Sequence, residues 1–422
     1  MKLRKVLTLL ALLSVLMAAC APVPATAPAA AGDTASAPAS AETASLQILG
    51  PWRASEADAF EKVLDGFRES TGIEVVYEGV DDVLGPLTTR VASGSAPDLA
   101  ILPVANGLID LQKQAALQPL DAFKEEITAN FSQGWIDRFT IDGKIYAIPT
   151  RADVSNLLWY NPKALNAAAP QTWAEFTALC DTIAAAGSSC TAGIGKDTWT
   201  LSILFEDTYL SANGIEKYND LMNGKIPFDD PTVVAAIQEI ATFYSDKYTA
   251  GGSAGALGTG LVDGIARVFG TNADASFVAA GSWVAGIVKG AVNKDVVEGE
   301  TIDYIPFPGE AGKGSIIAAA DVAVMLKDSP AAQKLLSYLI SADGQARFAP
   351  NGYTVANKNV DPKIYSGLAA KTAELLATSG IGPSTGAALS NEFRTQLIEI
   401  ISGAVLDPSS IEDQLKALQA SR

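Results

Sequence analysis

The stretch of sequence that decides the fold opens with Leu46-Gln47-Ile48-Leu49, a short apolar run typical of a buried strand. Two similar runs follow, from Ile73 to Tyr77 and at Leu99-Ala100-Ile101-Leu102. Between them, apolar residues recur at helical spacing from Glu56 to Ser70 and from Leu84 to Ala92. This alternation of strand and helix predicts an α/β fold with a parallel sheet covered on both faces, in which ligands bind beyond the carboxyl ends of the strands.

The rest of the chain continues with shorter strands and further helices. Thr172-Trp173-Ala174-Glu175 is a capping box, so we expect a helix from there to about residue 186. A long helix is predicted from Pro231 to Tyr248, with proline in its first turn. The segment from Gly251 to Gly260 carries several glycines and is predicted to be a loop.

The composition excludes several classes of function before any motif is considered. The chain has 422 residues, too many for one core, and 48% of them are hydrophobic, so about two lobes of 150–200 residues are expected. Its net charge of −17 argues against nucleic acid as a partner. The sequence contains no His, which excludes Ser-His-Asp triads, Cys-His pairs and imidazole metal ligands.

The N-terminus has the layout of an export signal. A cationic start at Lys2, Arg4 and Lys5 precedes a mostly apolar run to Met17, which is too short to span a bilayer. Cys20 follows two alanines and resembles the cysteine of a bacterial lipobox, although the usual Leu is replaced by Met17. We therefore expect residues 1–19 to be a signal peptide and Cys20 to carry lipid; the alternative is an ordinary signal peptide with an incidental cysteine.

Residues 20–44 are nearly all Ala, Pro, Ser, Thr and Gly after the cysteine. A segment of this composition cannot bury enough apolar surface to offset its ordering entropy. It is predicted to be a disordered tether between the lipid and the folded part.

Several short motifs occur in a fixed order along the folded part of the chain. They are Gly94-Ser95-Ala96-Pro97-Asp98-Leu99, Asp142 to Pro149, Leu158-Trp159-Tyr160-Asn161-Pro162, Ala279 to Trp283, Tyr304 to Pro308, Asp321 to Lys327, Asp343 to Ala346 and Asn351-Gly352-Tyr353. Their order resembles the extracellular solute-binding proteins of carbohydrate ABC importers. The resemblance covers about residues 45 to 420.

A second set of motifs is similar to the α-glucoside-binding subgroup of that family. These motifs are Gly50-Pro51-Trp52, Tyr77-Glu78-Gly79 with Asp81, and Asn223 to Phe228. The resemblance therefore favours a mono- or oligosaccharide ligand, with an α-glucoside first, but the motifs do not identify the sugar.

The resemblance implies a two-lobed, periplasmic-binding-protein-like fold, with the ligand cleft between lobes joined by crossing strands. The N-terminal lobe would take residues 45–150 and 320–358, and the C-terminal lobe residues 151–318 and 359–422. The implied function is capture of the sugar by lobe closure and delivery to the membrane permease, without breaking a bond. We expect an exported monomer, lipid-anchored to the outer face of the bacterial cell membrane or on its periplasmic side, that uses no cofactor.

Aromatic rings suit the C–H face of a sugar, so the tryptophans are the first candidates for its site. Trp283 follows Gly281-Ser282 at a strand end, Trp52 follows Pro51 at the end of the first strand, and Trp199 corresponds to a Trp of the α-glucoside group. For each of the three, packing in the core is the alternative role.

Charged side chains make the stronger hydrogen bonds to sugar hydroxyls. The candidates are Asp81 after the second strand, Arg151 and Asp153 at the first crossing between lobes, and Asp321 before an apolar strand. An interlobe ion pair is the rival role for Arg151 and Asp153. A backbone N–H cap is the rival role for Asp321.

Cys180 and Cys190 are the other two thiols of the chain, on a predicted helix and on the strand after it. Because export is predicted, a disulfide across this turn is expected, with two free thiols as the alternative.

Two other functions remain open at the level of sequence. One is an exported glycoside hydrolase with paired carboxylates, which 47 acidic residues do not exclude. The other is a binding protein of the same fold for a different solute, such as a polyamine. Transition metals are disfavoured because the sequence lacks His and has few candidate Cys.

Overall fold

The structure, a computed structural model, describes residues 45–420. The predicted signal peptide, Cys20 and the tether to residue 44 lie outside the described residues. No helix in the described part of the chain is long and apolar enough to cross a membrane.

The strands are short, as the apolar runs predict. They are β1 (Leu46–Gly50), β2 (Val75–Gly79), β3 (Leu99–Leu102), β4 (Thr140–Ile141), β5 (Lys144–Ile145), β6 (Ile148–Val154), β7 (Leu157–Tyr160), β8 (Ser189–Thr191), β9 (Ala275–Ala280), β10 (Asp303–Pro306), β11 (Ser315–Met325) and β12 (Gly380–Gly382).

Helices fill most of the sequence between the strands. They are α1 (Ser55–Thr71), α2 (Leu84–Ala92), α3 (Leu108–Lys113), α4 (Lys124–Asn130), α5 (Gln133–Arg138), α6 (Pro162–Leu165), α7 (Trp173–Ala185), α8 (Trp199–Met222), α9 (Pro231–Phe243), α10 (Gly252–Gly258), α11 (Leu261–Phe269), α12 (Val284–Ile287), α13 (Pro330–Ile340), α14 (Ala342–Ala346), α15 (Gly367–Thr378), α16 (Thr385–Ala388), α17 (Asn391–Leu406) and α18 (Ile411–Ala420). A π-helix at Val288–Val292 directly follows α12.

The larger sheet has the order β12-β11-β3-β1-β2, and β6 pairs with β11 beside this path. β1 is parallel to both β2 and β3, as the strand and helix alternation predicts. All four residues of β3 are buried, which is typical of a strand covered on both faces.

The smaller sheet has the order β10-β7-β9-β8. β7 is antiparallel to β9 and to β10, and β8 is parallel to β9. Trp159 of β7 is completely buried and donates its indole N–H to the carbonyls of Ala280 and Gly281, each at 3.1 Å. Trp159 therefore belongs to the core, as its apolar neighbours predict.

Two long strands connect the sheets. β6 runs antiparallel to β11 from Val154 opposite Ala318 to Ile148 opposite Ala323, and after two residues it leads into β7 of the smaller sheet. The side-chain oxygen of Asn156, in that link, accepts the Ile317 N–H at 2.8 Å. The fold is thus two-lobed with crossing strands, while the residue boundaries given above for the lobes stay a prediction.

Two local predictions are wrong. The glycine-rich segment is not a loop: Gly252–Gly258 forms α10, and the Asp246 carboxylate accepts the Ser253 N–H at 2.8 Å in its first turn. The long helix α9 ends at Phe243 rather than Tyr248, because the Tyr248 carbonyl accepts hydrogen bonds from the β8 backbone. In the second case partners distant in sequence override the local helical pattern.

Cys180 of α7 and Cys190 of β8 form a disulfide, and both residues are fully buried. The bond links residues ten positions apart in sequence. The capping box at the start of α7 is also present, with the Glu175 N–H bonded to the Thr172 hydroxyl at 3.1 Å.

Two adjacent acids of α8 are buried beside the crossing strands. Glu206 accepts the N–H of Thr385 at 2.6 Å and its hydroxyl at 2.7 Å, and accepts the Ser155 hydroxyl at 3.3 Å. Neither carboxylate oxygen of Asp207 has a hydrogen-bond partner among the described residues. Burial raises the pKa of Glu206 to about 7. Burial, with a further contribution from Glu206, also raises the pKa of Asp207.

Replacing Cys180 and Cys190 together by Ala should lower the free energy of unfolding by about 3 kcal/mol, because the short loop is no longer closed in the unfolded chain. Urea unfolding of the two proteins measures the difference. When the protein is unfolded and treated with an alkylating reagent without reductant, mass spectrometry should find Cys180 and Cys190 unmodified. Alkylation of both would contradict the disulfide.

The buried Glu206 makes stability depend on pH. Its folded-state pKa of about 7 lies above the usual 4.5, so the stability it provides is fully present below pH 4.5 and is lost as the pH rises through 7. The loss should approach about 3 kcal/mol, and Glu206→Gln should remove that part of the slope in urea unfolding at pH 5 and pH 8. Glu216→Gln, on the exposed side of α8, is the control. An unchanged slope in Glu206→Gln would count against this assignment.

Candidate functional site

A cavity of about 370 Å³ lies where the crossing strand β6 meets the end of β9 and the start of α15. Its lining comes from Asp153, from Glu298 and from residues within the segments 282–289, 349–354 and 364–372. Two of the predicted binding residues, Trp283 and Asp153, therefore share one cavity.

Trp283 is positioned by the small residues before it. A side chain at Gly281 would begin 2.5 Å from the Trp283 indole nitrogen, so only glycine lets the ring lie against this backbone. Ser282 donates its N–H to the Val154 carbonyl at 2.8 Å, which fixes the turn to β6. Trp199 packs edge-on against Trp283 at 5.7 Å between ring centroids and is 40% exposed.

Asp153 presents a carboxylate at the cavity. One of its oxygens accepts the Ser282 hydroxyl at 3.1 Å, and the other lies 3.6 Å from Nε of Arg151. Burial raises the pKa of Asp153, and the charge of Arg151 opposes that rise. A carboxylate offers about four acceptor positions, so Asp153 retains capacity for a ligand hydroxyl.

Arg151 lies behind Asp153, 8% exposed, and is held by three carboxylates. Its guanidinium donates to Glu56 at 2.6 Å and lies 3.2 Å from Asp321, in addition to the contact with Asp153. Burial lowers the pKa of Arg151, but the three carboxylates outweigh burial and leave the pKa raised. The ion-pair role considered for Arg151 and Asp153 is thus present in the structure.

Asp321 and Trp52 support Arg151 from inside the protein. The Trp52 indole N–H donates to Asp321 at 2.8 Å, and the other Asp321 oxygen accepts the Val104 N–H at 3.2 Å. Trp52 is 2% exposed and packs against Phe60. Neither Trp52 nor Asp321 is among the residues that line the cavity, so a direct ligand contact for either stays a prediction.

Asp81 lies apart from this group. Its side chain is 86% exposed and forms an ion pair with Arg53. β2 ends at Gly79, so Asp81 lies two residues beyond the strand end. Asp81 is not among the lining residues of the cavity, so its contact with ligand also stays a prediction.

Sequence reasoning missed several residues of the cavity. Tyr353 lines it, and the Arg151 guanidinium lies 4.7 Å above its ring. The sequence signal for Tyr353 was the glycine before it, since glycine often marks a turn of the chain. In the structure Gly352 has a positive φ of 83° and turns the chain just before Tyr353. Lys289 and Glu298 also line the cavity, but nothing in their local sequence indicates that they meet.

The remaining tryptophans have structural surroundings. Trp173 stacks on Phe176 at 5.2 Å, as expected for a residue after a helix cap. Trp135 is 5% exposed, and the Arg138 guanidinium lies 4.9 Å from its ring. The described residues contain no group of three or more His, Cys, Asp or Glu placed to hold a metal ion.

Two proteins named for the compounds they bind are similar to this chain in sequence. The osmoprotective compounds-binding protein GgtB of Synechocystis sp. is 32% identical over 380 residues, covering 85% of this chain and 89% of GgtB. The alpha-glucosides-binding periplasmic protein AglE of Rhizobium meliloti is 29% identical over 341 residues, covering 76% of this chain and 74% of AglE.

A solved structure of the bacterial solute receptor AcbH superposes with a TM-score of 0.77 at 19% identity, covering 89% of this chain and 97% of that one. This likeness confirms the two-lobed periplasmic-binding-protein-like fold. The family described as bacterial extracellular solute-binding protein matches residues 53–346. With more than half of its residues in that match, the chain belongs to the family of bacterial extracellular solute-binding proteins.

Proposed function

We propose that this protein is the substrate-binding component of a sugar ABC importer and that its ligand is a short α-glucoside. The observation that carries the proposal is one cavity lined by an indole, a phenol ring and a carboxylate: Trp283, Tyr353 and Asp153. Aromatic rings pack on the C–H faces of a sugar, and the carboxylate accepts its hydroxyls.

The relatives narrow the class of sugar. GgtB is named for osmoprotective compounds and AglE for alpha-glucosides. Small α-glucosides that serve as osmolytes, such as trehalose and sucrose, satisfy both descriptions. They also suit a cavity of about 370 Å³, near the lower end of the range of roughly 300–1,000 Å³ for small-molecule sites.

The charges around the cavity favour a neutral ligand over a polyamine. Asp153 faces Arg151, and Glu298 is paired with Lys289. A polyamine requires acids that are free to pair with its ammonium groups. Here each acid that lines the cavity already has a cation, and Arg151 occupies a position above Tyr353 where a ligand cation would stack.

The same contacts disfavour a hydrolase. Hydrolysis needs one carboxyl group as acid and a second as base or nucleophile. Glu298 is committed to Lys289 and to the Leu368 N–H, and Asp153 is committed to Ser282 and Arg151. The relatives compared above are binding proteins, and this protein is not an enzyme.

Capture follows from where the cavity walls originate. Asp153 lies on the crossing strand β6, whereas Trp283 follows β9 of the smaller sheet. A sugar bound by both would favour the closed arrangement of the lobes through its contacts with each side. The closed form then delivers the sugar to the permease. Export as a monomer, with lipid on Cys20 and residues 20–44 as the tether, completes the proposal.

A thermal-shift screen tests the ligand class. Trehalose, sucrose or maltose at 100 times its Kd should stabilise the protein by about 2.7 kcal/mol, and spermidine should not, because only the sugar binds the folded state. Chromatography of the same samples should find the sugar unchanged. Stabilisation by spermidine alone would contradict the sugar proposal, and released monosaccharide would support a hydrolase.

Trp283→Ala should weaken sugar binding on the order of 10- to 100-fold, since the stacked ring is lost. Gly281→Ala should weaken it in the same direction although the indole is retained, because the new methyl group displaces the ring. Titration calorimetry measures both values of Kd. Trp173→Ala, which removes an indole away from the cavity, is the matched control. Unchanged affinity in both cavity variants would remove Trp283 from the site.

A further inference from the structure

An ion pair forms part of the cavity wall at the start of α15. Lys289, in the π-helix, donates to one oxygen of Glu298, and the other oxygen accepts the Leu368 N–H at 2.7 Å. These three residues line the cavity together with Trp283 and Asp153. We call Lys289, Glu298 and Leu368 the charged wall.

Gly367 lets Glu298 approach the start of α15. A side chain on Gly367 would begin 1.8 Å from the Glu298 carboxylate oxygen, and its φ of +55° is one that residues with a Cβ rarely adopt. Glu298 is thus seated against the first turn of α15, where a carboxylate satisfies a free N–H and complements the helix dipole. Contacts among segments far apart in sequence therefore build this wall.

The charged wall still has hydrogen-bonding capacity. The Lys289 ammonium has three N–H donors, of which Glu298 takes one, and its side chain is 48% exposed. A sugar ring beside the wall can therefore accept from Lys289 and donate to Glu298 without leaving either charge unpaired.

We infer that the charged wall sets the length of the ligand: it binds the hydroxyls of the terminal ring and blocks a third sugar unit. This inference rests on the proposed function, because it concerns the same cavity. The cavity volume of about 370 Å³ agrees with it, since it lies near the lower end of the range of roughly 300–1,000 Å³ for small-molecule sites.

Two variants separate the hydrogen-bonding and blocking roles. Lys289→Ala removes both the ammonium and its stem, whereas Lys289→Met keeps most of the bulk and removes the charge. Titration calorimetry with maltose, maltotriose and maltotetraose gives the ratio of their affinities. Lys313→Ala, which breaks an exposed pair with Glu310, is the matched control.

Wild-type protein should bind maltose at least about tenfold more tightly than maltotriose. Lys289→Ala should reduce that ratio at least about tenfold, mainly by improved binding of maltotriose. Lys289→Met should keep the preference for maltose and weaken maltose binding several-fold. Lys313→Ala should match the wild type in every value.

The outcomes distinguish the two proposals. If the wild type binds none of maltose, trehalose and sucrose, the proposed function fails, and the inference fails with it. If trehalose or sucrose binds but maltose does not, only the charged wall is overturned. If maltose binds but the wild type takes maltotetraose equally well, or if Lys289→Ala leaves the ratio unchanged, only the charged wall is overturned. A melting temperature of each variant close to that of the wild type shows that the fold is retained.

Discussion

The burial of Arg151 is the constraint on which the site depends. A guanidinium with so little access to water is stable only where carboxylates replace its hydration, and here three of them do so. They come from different elements: Glu56 from α1, Asp153 from β6 and Asp321 from β11. One cation therefore ties the first helix to both crossing strands, and removing it would leave three acids in mutual repulsion.

This cluster gives different surroundings to two of the predicted acids. Asp321 already accepts from Arg151, the Trp52 indole and the Val104 N–H, and it is not among the residues that line the cavity. Asp153 has fewer partners and remains available. Glu206, beside the same crossing strands, accepts hydrogen bonds from neutral donors of Ser155 and Thr385. Burial raises the pKa of Glu206 to about 7.

Features encoded locally were predictable from the sequence. The strands at residues 46 and 99 and the helix from Leu84 to Ala92 follow directly from apolar spacing, and the capping box marks the start of α7. Features that depend on distant partners were not. The chain leaves the helical path after α9 where β8 bonds to the Tyr248 carbonyl, and Glu298 meets Leu368 across 70 residues of sequence, so no local pattern reveals either contact.

The pairing of charges inside the cavity explains why a neutral sugar suits an acidic protein with a net charge of −17. The acids that line the cavity are neutralised internally, Asp153 by Arg151 and Glu298 by Lys289, before any ligand arrives. A ligand that brought its own charge would have to break one of these pairs and leave a partly buried charge without a partner. A polyhydroxylated neutral ligand uses only the remaining hydrogen-bonding positions, and its departure leaves both pairs intact. Reversible capture and release then require no change of protonation, which is consistent with a chain that contains no His.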